Sequence, residues 1–137
     1  MYLLDTNIVS EWRKGPRADA NLTRWITHQS DDSLFLSVLV VGEIRKGIEN
    51  TARKDKATAR ALEAWLHRLN DAYELRILPI TCEIAQAWGK MNVPDSLPVI
   101  DSLLAVTAKV HGLTVVTRNS KNIARTGVPT INPFLHT

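Results

Sequence analysis

The feature that most limits how this chain can fold is its opening: Met1-Tyr2-Leu3-Leu4 runs without polar alternation into Asp5-Thr6-Asn7. An apolar run with no solvent face reads as a strand covered on both sides, as strands of parallel sheets are. Asp5 then stands at the strand's carboxyl end, where open α/β sheets bind their ligands, near the point at which the strand order reverses. A plainer reading stays open beside it. Asp5, Thr6 and Asn7 are all helix-capping residue types, and one of them could do no more than start the next helix. Only other acids in equivalent places can decide between the two.

The rest of the chain repeats the alternation of strand and helix. A short helix is expected over residues 8–13, capped by Thr6 or Asn7 and closed by Gly15-Pro16. A second follows from the spacing of Ala18, Leu22, Trp25 and Ile26. Leu34-Phe35-Leu36 reads as a strand, and Ser37 as the cap of a helix over residues 38–48 with Val41, Ile44 and Ile48 on its apolar face. Residues 57–73 trace a longer amphipathic helix through Leu62, Trp65, Leu66, Leu69 and Tyr73, suited to a core or to a partner chain. Residues 76–80 form another strand, and Thr81 caps a helix that turns Ala85, Trp88 and Met91 inward. Ile100, Leu103, Leu104, Thr107, Ala108 and His111 give the cleanest helical period, stopped by Gly112. Strands over 113–117 and 128–131 bracket a short basic helix that ends near Gly127. The expectation is an α/β fold: one domain spanning residues 1–137, with a mainly parallel sheet of about five strands flanked by helices.

Composition narrows the class. A chain of 137 residues with 45% apolar and 23% charged residues can bury a core without staples. Cys82 is the only cysteine, which excludes an intrachain disulfide and suits a reducing compartment. There is no secretory leader pattern and no membrane-length apolar run, so a cytoplasmic protein is expected. Net charge is only +3 but unevenly spread. From Ser102 onward there is no Asp or Glu, while Lys109, Arg118, Lys121 and Arg125 are basic, a distribution that favours a polyanionic partner. Arg45, Lys46, Arg53, Lys54, Lys56 and Arg60 form a second basic group, but Glu49, Asp55 and Glu63 are interleaved and can pair with it on a solvated helix face.

Three acids share one placement: Asp5 ends a strand, Glu43 lies early in the helix after the next strand, and Asp101 lies in the first turn of the helix before another. In a right-handed α/β domain all three reach the same sheet edge, as does the turn Thr117-Arg118-Asn119. Singly, Glu43 fits a helix-surface acid and Asp101 a favourable charge at a helix N-terminus. Together, carboxylates without pairing cations point to a hard divalent ion, Mg²⁺ or Mn²⁺. Metal-assisted hydrolysis is the chemistry such a set allows. Asp5 and Asp101 are then the main ligands, Glu43 a ligand through water or the base that orients the attacking water, and Asn119 an orienting group. Thr6 and Ser37 are hydrogen-bond donors, and Arg118 either touches the substrate backbone or faces solvent.

In this order and over this length, Leu4-Asp5-Thr6-Asn7, Ser37 with Val-Leu-Val-Val-Gly-Glu43, Ile100-Asp101 and Val116-Thr117-Arg118-Asn119 resemble a PIN domain. The opening Asp-Thr-Asn-Ile-Val-Ser-Glu and the closing Ile131-Asn132-Pro133-Phe134 are similar to the VapC branch, the toxins of bacterial toxin-antitoxin pairs. The resemblance implies a Mg²⁺-dependent endoribonuclease toxin acting on RNA. It also implies a homodimer held inactive by a small VapB-like antitoxin, with which it can form a DNA-binding hetero-oligomer. One departure stands out. Family members commonly carry a further acid at or just after the Thr-Arg-Asn turn, where this chain has Asn119 and Asn122-Ile123, which can hold a metal-bound water but bring no charge.

Two rivals remain. A haloacid-dehalogenase-type phosphatase would need a second Asp two residues after Asp5, where Asn7 stands. A catalytically weakened PIN-like binding module, acting through an antitoxin and DNA complex, would fit the missing acid. His28, His67, His111 and His136 are scattered, with His111 on an apolar face, and suggest no catalytic histidine. Trp12, Trp25, Trp65 and Trp88 read as core or interface, and Cys82 as a small buried hydrophobe.

Overall fold

The computed structural model of the protein describes residues 1–135, so His136 lies outside the described residues. Five strands form one sheet with every pairing parallel: β1 (Tyr2–Leu4), β2 (Leu34–Ser37), β3 (Ile77–Leu78), β4 (Thr114–Val116) and β5 (Thr130–Ile131). Their spatial order is β3-β2-β1-β4-β5. The chain therefore starts in the middle, winds outward to β3, and returns to the other side of β1 at β4. That return places the reversal of strand order between β1 and β4.

The unalternating opening is explained by this position. Leu3 pairs in register with Phe35 of β2 and Val115 of β4, and Leu3 and Leu4 are buried on both faces. Among the described residues seven α-helices surround the sheet: α1 (Thr6–Trp12), α2 (Ala20–Thr27), α3 (Val38–Ala52), α4 (Lys56–Ala72), α5 (Cys82–Met91), α6 (Val99–His111) and α7 (Ser120–Ala124). The core gathers Leu3, Leu4, Ile8, Leu22, Leu36, Val40, Leu104, Val115, Val116 and Ile123. Burying each such side chain is worth roughly 1.5–3 kcal/mol relative to leaving it exposed, so the strand ends that carry the polar residues are anchored from both sides. α6 is enclosed along most of its length, with Ser102 and residues 104–108 all buried. Gly112 ends it in the left-handed conformation at φ 68°, which glycine adopts without a Cβ clash.

Several expectations need correction. The first helix begins at Thr6, with Asp5 rather than Thr6 or Asn7 as its cap. In α3 the fully buried residue is Val40, with Val41 half-buried, and the helix runs on to Ala52. The strand expected over residues 76–80 shortens to Ile77–Leu78, because Pro79 has no N–H for the ladder. The last strand is also shorter, Thr130–Ile131, although the Pro129 carbonyl still accepts from the Val115 N–H at 2.9 Å.

In α5 the inward positions are Ile84, Trp88 and Met91; Ala85 is exposed, one step of about 100° further round the helix. Cys82, as the first residue of α5, is exposed, not a buried hydrophobe. His111, the last residue of α6, is exposed as well. The tryptophans divide. Trp25 meets Tyr2 edge-on at 5.0 Å, and the Trp88 indole N–H donates to Ser102 Oγ at 2.9 Å, whereas Trp12 is 38% exposed.

Candidate active site

Each strand near the reversal ends on one polar residue after its apolar run: Asp5 after β1, Ser37 closing β2, Thr117 after β4, and all three are buried. The Asp5 N–H continues the ladder to the Val116 carbonyl at 2.9 Å, and its own carbonyl accepts from the Ile8 and Val9 N–H groups. The main chain thus passes from strand to helix at Asp5, and the side chain is left at the sheet edge. Asp5 Oδ1 accepts from the Thr6 N–H at 2.7 Å. Oδ2 accepts from the Thr117 hydroxyl at 2.7 Å and from Asn7 Nδ2 at 3.3 Å. Both readings of Asp5 therefore hold at once: it caps α1 and lies at the strand-reversal edge.

The other two acids are tied to it by a continuous chain of hydrogen bonds. The Thr6 hydroxyl donates to Glu43 Oε1 at 2.5 Å, linking α1 to α3. On the other side the Asn119 N–H donates to Thr117 Oγ1 at 3.0 Å, and Asn119 Nδ2 to Asp101 Oδ2 at 3.5 Å. Asn122 Nδ2, from α7, approaches the same Asp101 oxygen at 3.2 Å. Glu43, Thr6, Asp5, Thr117, Asn119 and Asp101 form one polar seam across the carboxyl edge of β1 and β4. Burial pushes the Asp5 carboxyl above its ordinary pKa, and the charges of Asp101 and Glu43 push the same way, against the hydrogen bonds from Thr117 and Thr6.

The residues expected at the site are thus placed as follows. Asp5, Thr6, Glu43, Asp101, Asn119 and Asn122 are brought together. Ser37 is fully buried and spends its oxygen on the Leu39 N–H at 3.0 Å as the cap of α3, with no hydrogen bond to the three acids. Arg118 is exposed on the rim, its guanidinium 3.8 Å from the centre of the Phe134 ring. Thr117 and Asn7 join the acids, although by sequence they had a place only in the Thr117-Arg118-Asn119 turn and the Asp5-Thr6-Asn7 opening, with no role of their own. For Thr117 a signal was present: it follows Val115-Val116 just as Asp5 follows Leu3-Leu4. Asn7 gives no comparable signal. It bridges the site by accepting the Arg118 N–H at 3.2 Å while donating to Asp5.

The donor set fits a hard divalent cation. All of its atoms are oxygens or amides, and among the described residues no Lys or Arg forms a salt bridge with Asp5, Glu43 or Asp101. Burial first, and the nearby charges of Asp101 and Glu43 to a lesser degree, raise the Asp5 pKa, and a bound cation would offset both. Among the described residues no three acidic, histidine or cysteine groups converge into a ready-made cage. Mg²⁺ keeps several waters and needs only one or two carboxylates, which Asp5 and Asp101 could supply.

Comparison with known proteins agrees with this layout. The PIN domain family model matches residues 2–129. A relative named VapC ribonuclease Y4jK, from Sinorhizobium fredii, is 30% identical over 98% of both chains. Toxin FitB of Neisseria gonorrhoeae is 28% identical over 98% of this chain and 99% of its own length. The crystal structure of FitAcB from Neisseria gonorrhoeae superposes with a TM-score of 0.89 at 26% identity, covering 98% of this chain and 99% of the other. With a parallel sheet whose reversal point carries this acidic seam, the chain belongs to the PIN-domain family.

Proposed function

We propose that the protein is a Mg²⁺- or Mn²⁺-dependent endoribonuclease toxin, neutralised by a small VapB-like antitoxin. The observation that carries the reading is the buried Asp5, joined through Thr6 to Glu43 and through Thr117 and Asn119 to Asp101, with no cation paired to any of the three among the described residues. Support comes from the names of the relatives, a VapC ribonuclease and a toxin, each aligned over nearly the whole chain.

Asp5 and Asp101 would hold the ion. When bound, the ion would activate water and neutralise charge on the phosphoryl group. Glu43, half-buried and oriented by Thr6, accepts the proton of the attacking water at a carboxylate oxygen or holds that water in line. Thr117 fixes the Asp5 carboxylate, and Asn119 and Asn122 steady Asp101. Ser37 acts at one remove, by setting the start of the helix that carries Glu43. Arg118, on the rim, contacts the RNA backbone.

A cleft of about 210 Å³, lined among others by Thr6, Arg13, Glu43, Ile44 and Trp65, opens beside the Glu43 carboxylate. An antitoxin segment that fills it with an apolar anchor and a basic side chain would block the acids. We assign the protein a cytoplasmic location and a homodimeric state, in keeping with an RNA target. No helix among the described residues is long and apolar enough to cross a membrane.

A second reading is favoured by one observation: Asn119 and Asn122 both approach Asp101 Oδ2, satisfying the acid as neutral donors where a further carboxylate would have drawn a metal. In it the chain is a weakened module that works through an antitoxin and DNA complex. The experiment that separates the two incubates the purified chain with RNA and Mg²⁺ or Mn²⁺. Cleavage that stops with chelator establishes the nuclease. Intact RNA at every metal concentration establishes the binding module.

A further inference from the structure

The C-terminal turn makes contacts that the acidic seam does not require. Phe134 lies in the turn Pro133–Leu135, and the Arg118 guanidinium sits over its ring with Cζ 3.8 Å from the centre. Both residues are pinned by side-chain amides. The Arg118 N–H donates to Asn7 Oδ1 at 3.2 Å, and the Arg118 carbonyl accepts from Asn132 Nδ2 at 3.2 Å. The other end of Asn132 accepts the Phe134 N–H at 3.0 Å, and the Phe134 carbonyl accepts from Asn21 Nδ2 at 2.9 Å. Asn7 of α1, Asn21 of α2 and Asn132, just before the C-terminal turn, thus hold the main chains from which the guanidinium and the ring meet.

The guanidinium is not ion-paired among the described residues, although the Glu11 carboxylate lies near enough to feel its charge. Among the described residues it makes no salt bridge and no side-chain hydrogen bond, and its side chain is exposed. The nearby Glu11 is otherwise engaged, by Lys14 Nζ at 3.0 Å and by the Asp19 N–H at 2.9 Å. A ring under a planar guanidinium covers one face and leaves the in-plane N–H edge free. That edge is the part that binds a phosphate in bidentate fashion. Stacking also removes rotamer freedom in advance, so less is lost when a ligand binds.

The position suits a substrate strand. Arg118 lies between Thr117, which bonds Asp5, and Asn119, which bonds Asp101, so its main chain is one residue from each arm of the seam. We propose that Arg118, held over the Phe134 ring, clamps a backbone phosphate of the RNA strand on the flank of the site formed by α1 and the C-terminal turn, and that Phe134 is the residue that positions it. The clamp rests on the nuclease reading above.

The test uses the full chain with a short single-stranded RNA. Cleavage kinetics are measured in Mg²⁺, and binding is measured in chelator across a range of salt, for wild type, Arg118→Gln, Phe134→Leu and Phe134→Trp. Arg118→Gln is expected to raise KM roughly tenfold, more than it lowers kcat, since a charged hydrogen bond is lost in binding. It should also reduce the slope of log affinity against log salt by about 0.7, the value for one phosphate contact on a single strand. Phe134→Leu should reproduce part of both changes, and Phe134→Trp should restore them, because an aromatic face is what the guanidinium needs.

If Phe134→Leu fails to fold, the exposed Arg118 and the aromatic swap still decide the matter. Wild-type protein that neither cleaves nor binds RNA overturns the nuclease reading, and the clamp with it. Wild-type cleavage with an unchanged KM and salt slope in Arg118→Gln overturns the clamp alone. A loss confined to affinity for an acidic protein partner also overturns it, and assigns the pair to protein recognition.

Discussion

Two regions of this molecule are dense in charge, and they are built in opposite ways. At the carboxyl edge of β1 and β4, three carboxylates interact with threonines and asparagines and with no cation among the described residues. On the outer face of α3 and α4, Arg45 bonds both oxygens of Glu63, at 2.6 and 2.5 Å, and also Glu49 at 3.2 Å. The second region neutralises itself in water, and exposed pairs of this kind add little to stability. The first leaves like charges together where Asp5 is buried and Glu43 and Asp101 are half-buried. A fold keeps that cost where something outside the chain relieves it, which is why the acidic edge, not the basic face, is the candidate site.

The comparison breaks most sharply at the acids. Asp101→Asn should lower metal-dependent RNA cleavage by at least about 100-fold, the scale of losing a positioned catalytic group, while the chain stays folded. Asp5→Asn should do the same, with thermal unfolding as the check on folding. Unchanged cleavage in both variants would leave the seam without a catalytic role.

Thr117→Val keeps the shape of the strand end and removes the hydroxyl that orients Asp5. Cleavage should fall by roughly 10–100-fold, as losses of groups behind a metal ligand do. Stability should fall by about 1–3 kcal/mol, because a buried carboxylate oxygen loses a donor. Denaturant unfolding and cleavage measured on one preparation test both figures. A stability loss with full activity would show that the Thr117 bond serves the fold alone.

A smaller effect sharpens the contrast by adding charge to the acidic edge. Asn122 stands nearer Asp101 than Asn119 does, at 3.2 against 3.5 Å, so Asn122→Asp is the variant to make. It should tighten Mg²⁺ or Mn²⁺ binding roughly tenfold, equivalent to ~1.4 kcal/mol, as read by calorimetric titration. The metal-free chain should become less stable, since a fourth acid joins the repulsion. Unaltered affinity would mean that position 122 is not electrostatically coupled to the ion.

The smallest effect is expected on the paired face. Glu63→Gln should leave cleavage and metal affinity unchanged and lower the thermal midpoint by a margin that shrinks at high salt. The hydrogen bonds from Arg45 hold the Glu63 carboxyl below its ordinary pKa. The pair's contribution is therefore present above the normal carboxylate range and is lost as pH falls through the depressed value. A large midpoint shift that persists in salt would show that the pair does more than stay solvated.

The sequence by itself determined the alternation of elements and the parallel sheet, because a strand buried on both faces cannot hide its pattern: Met1 to Leu4 are apolar without interruption, and residues 114–116 are all β-branched. It also placed Asp5, Glu43 and Asp101 on one edge, since the hand of a βαβ crossover follows from chirality. The tertiary structure alone decided the partners. That Thr117 holds Asp5, that Asn122 outreaches Asn119, and that Phe134 lies under Arg118 all depend on segments 16 to 112 residues apart in the chain meeting at distances set by packing. It decided the exposed outcomes as well. Ala85 and Cys82 face solvent because α5 starts at Cys82 and turns Ile84 and Trp88 inward, a rotation that periodicity over ten residues leaves open by one step. Local pattern records which face of an element is apolar. What that face meets is a property of the assembled chain.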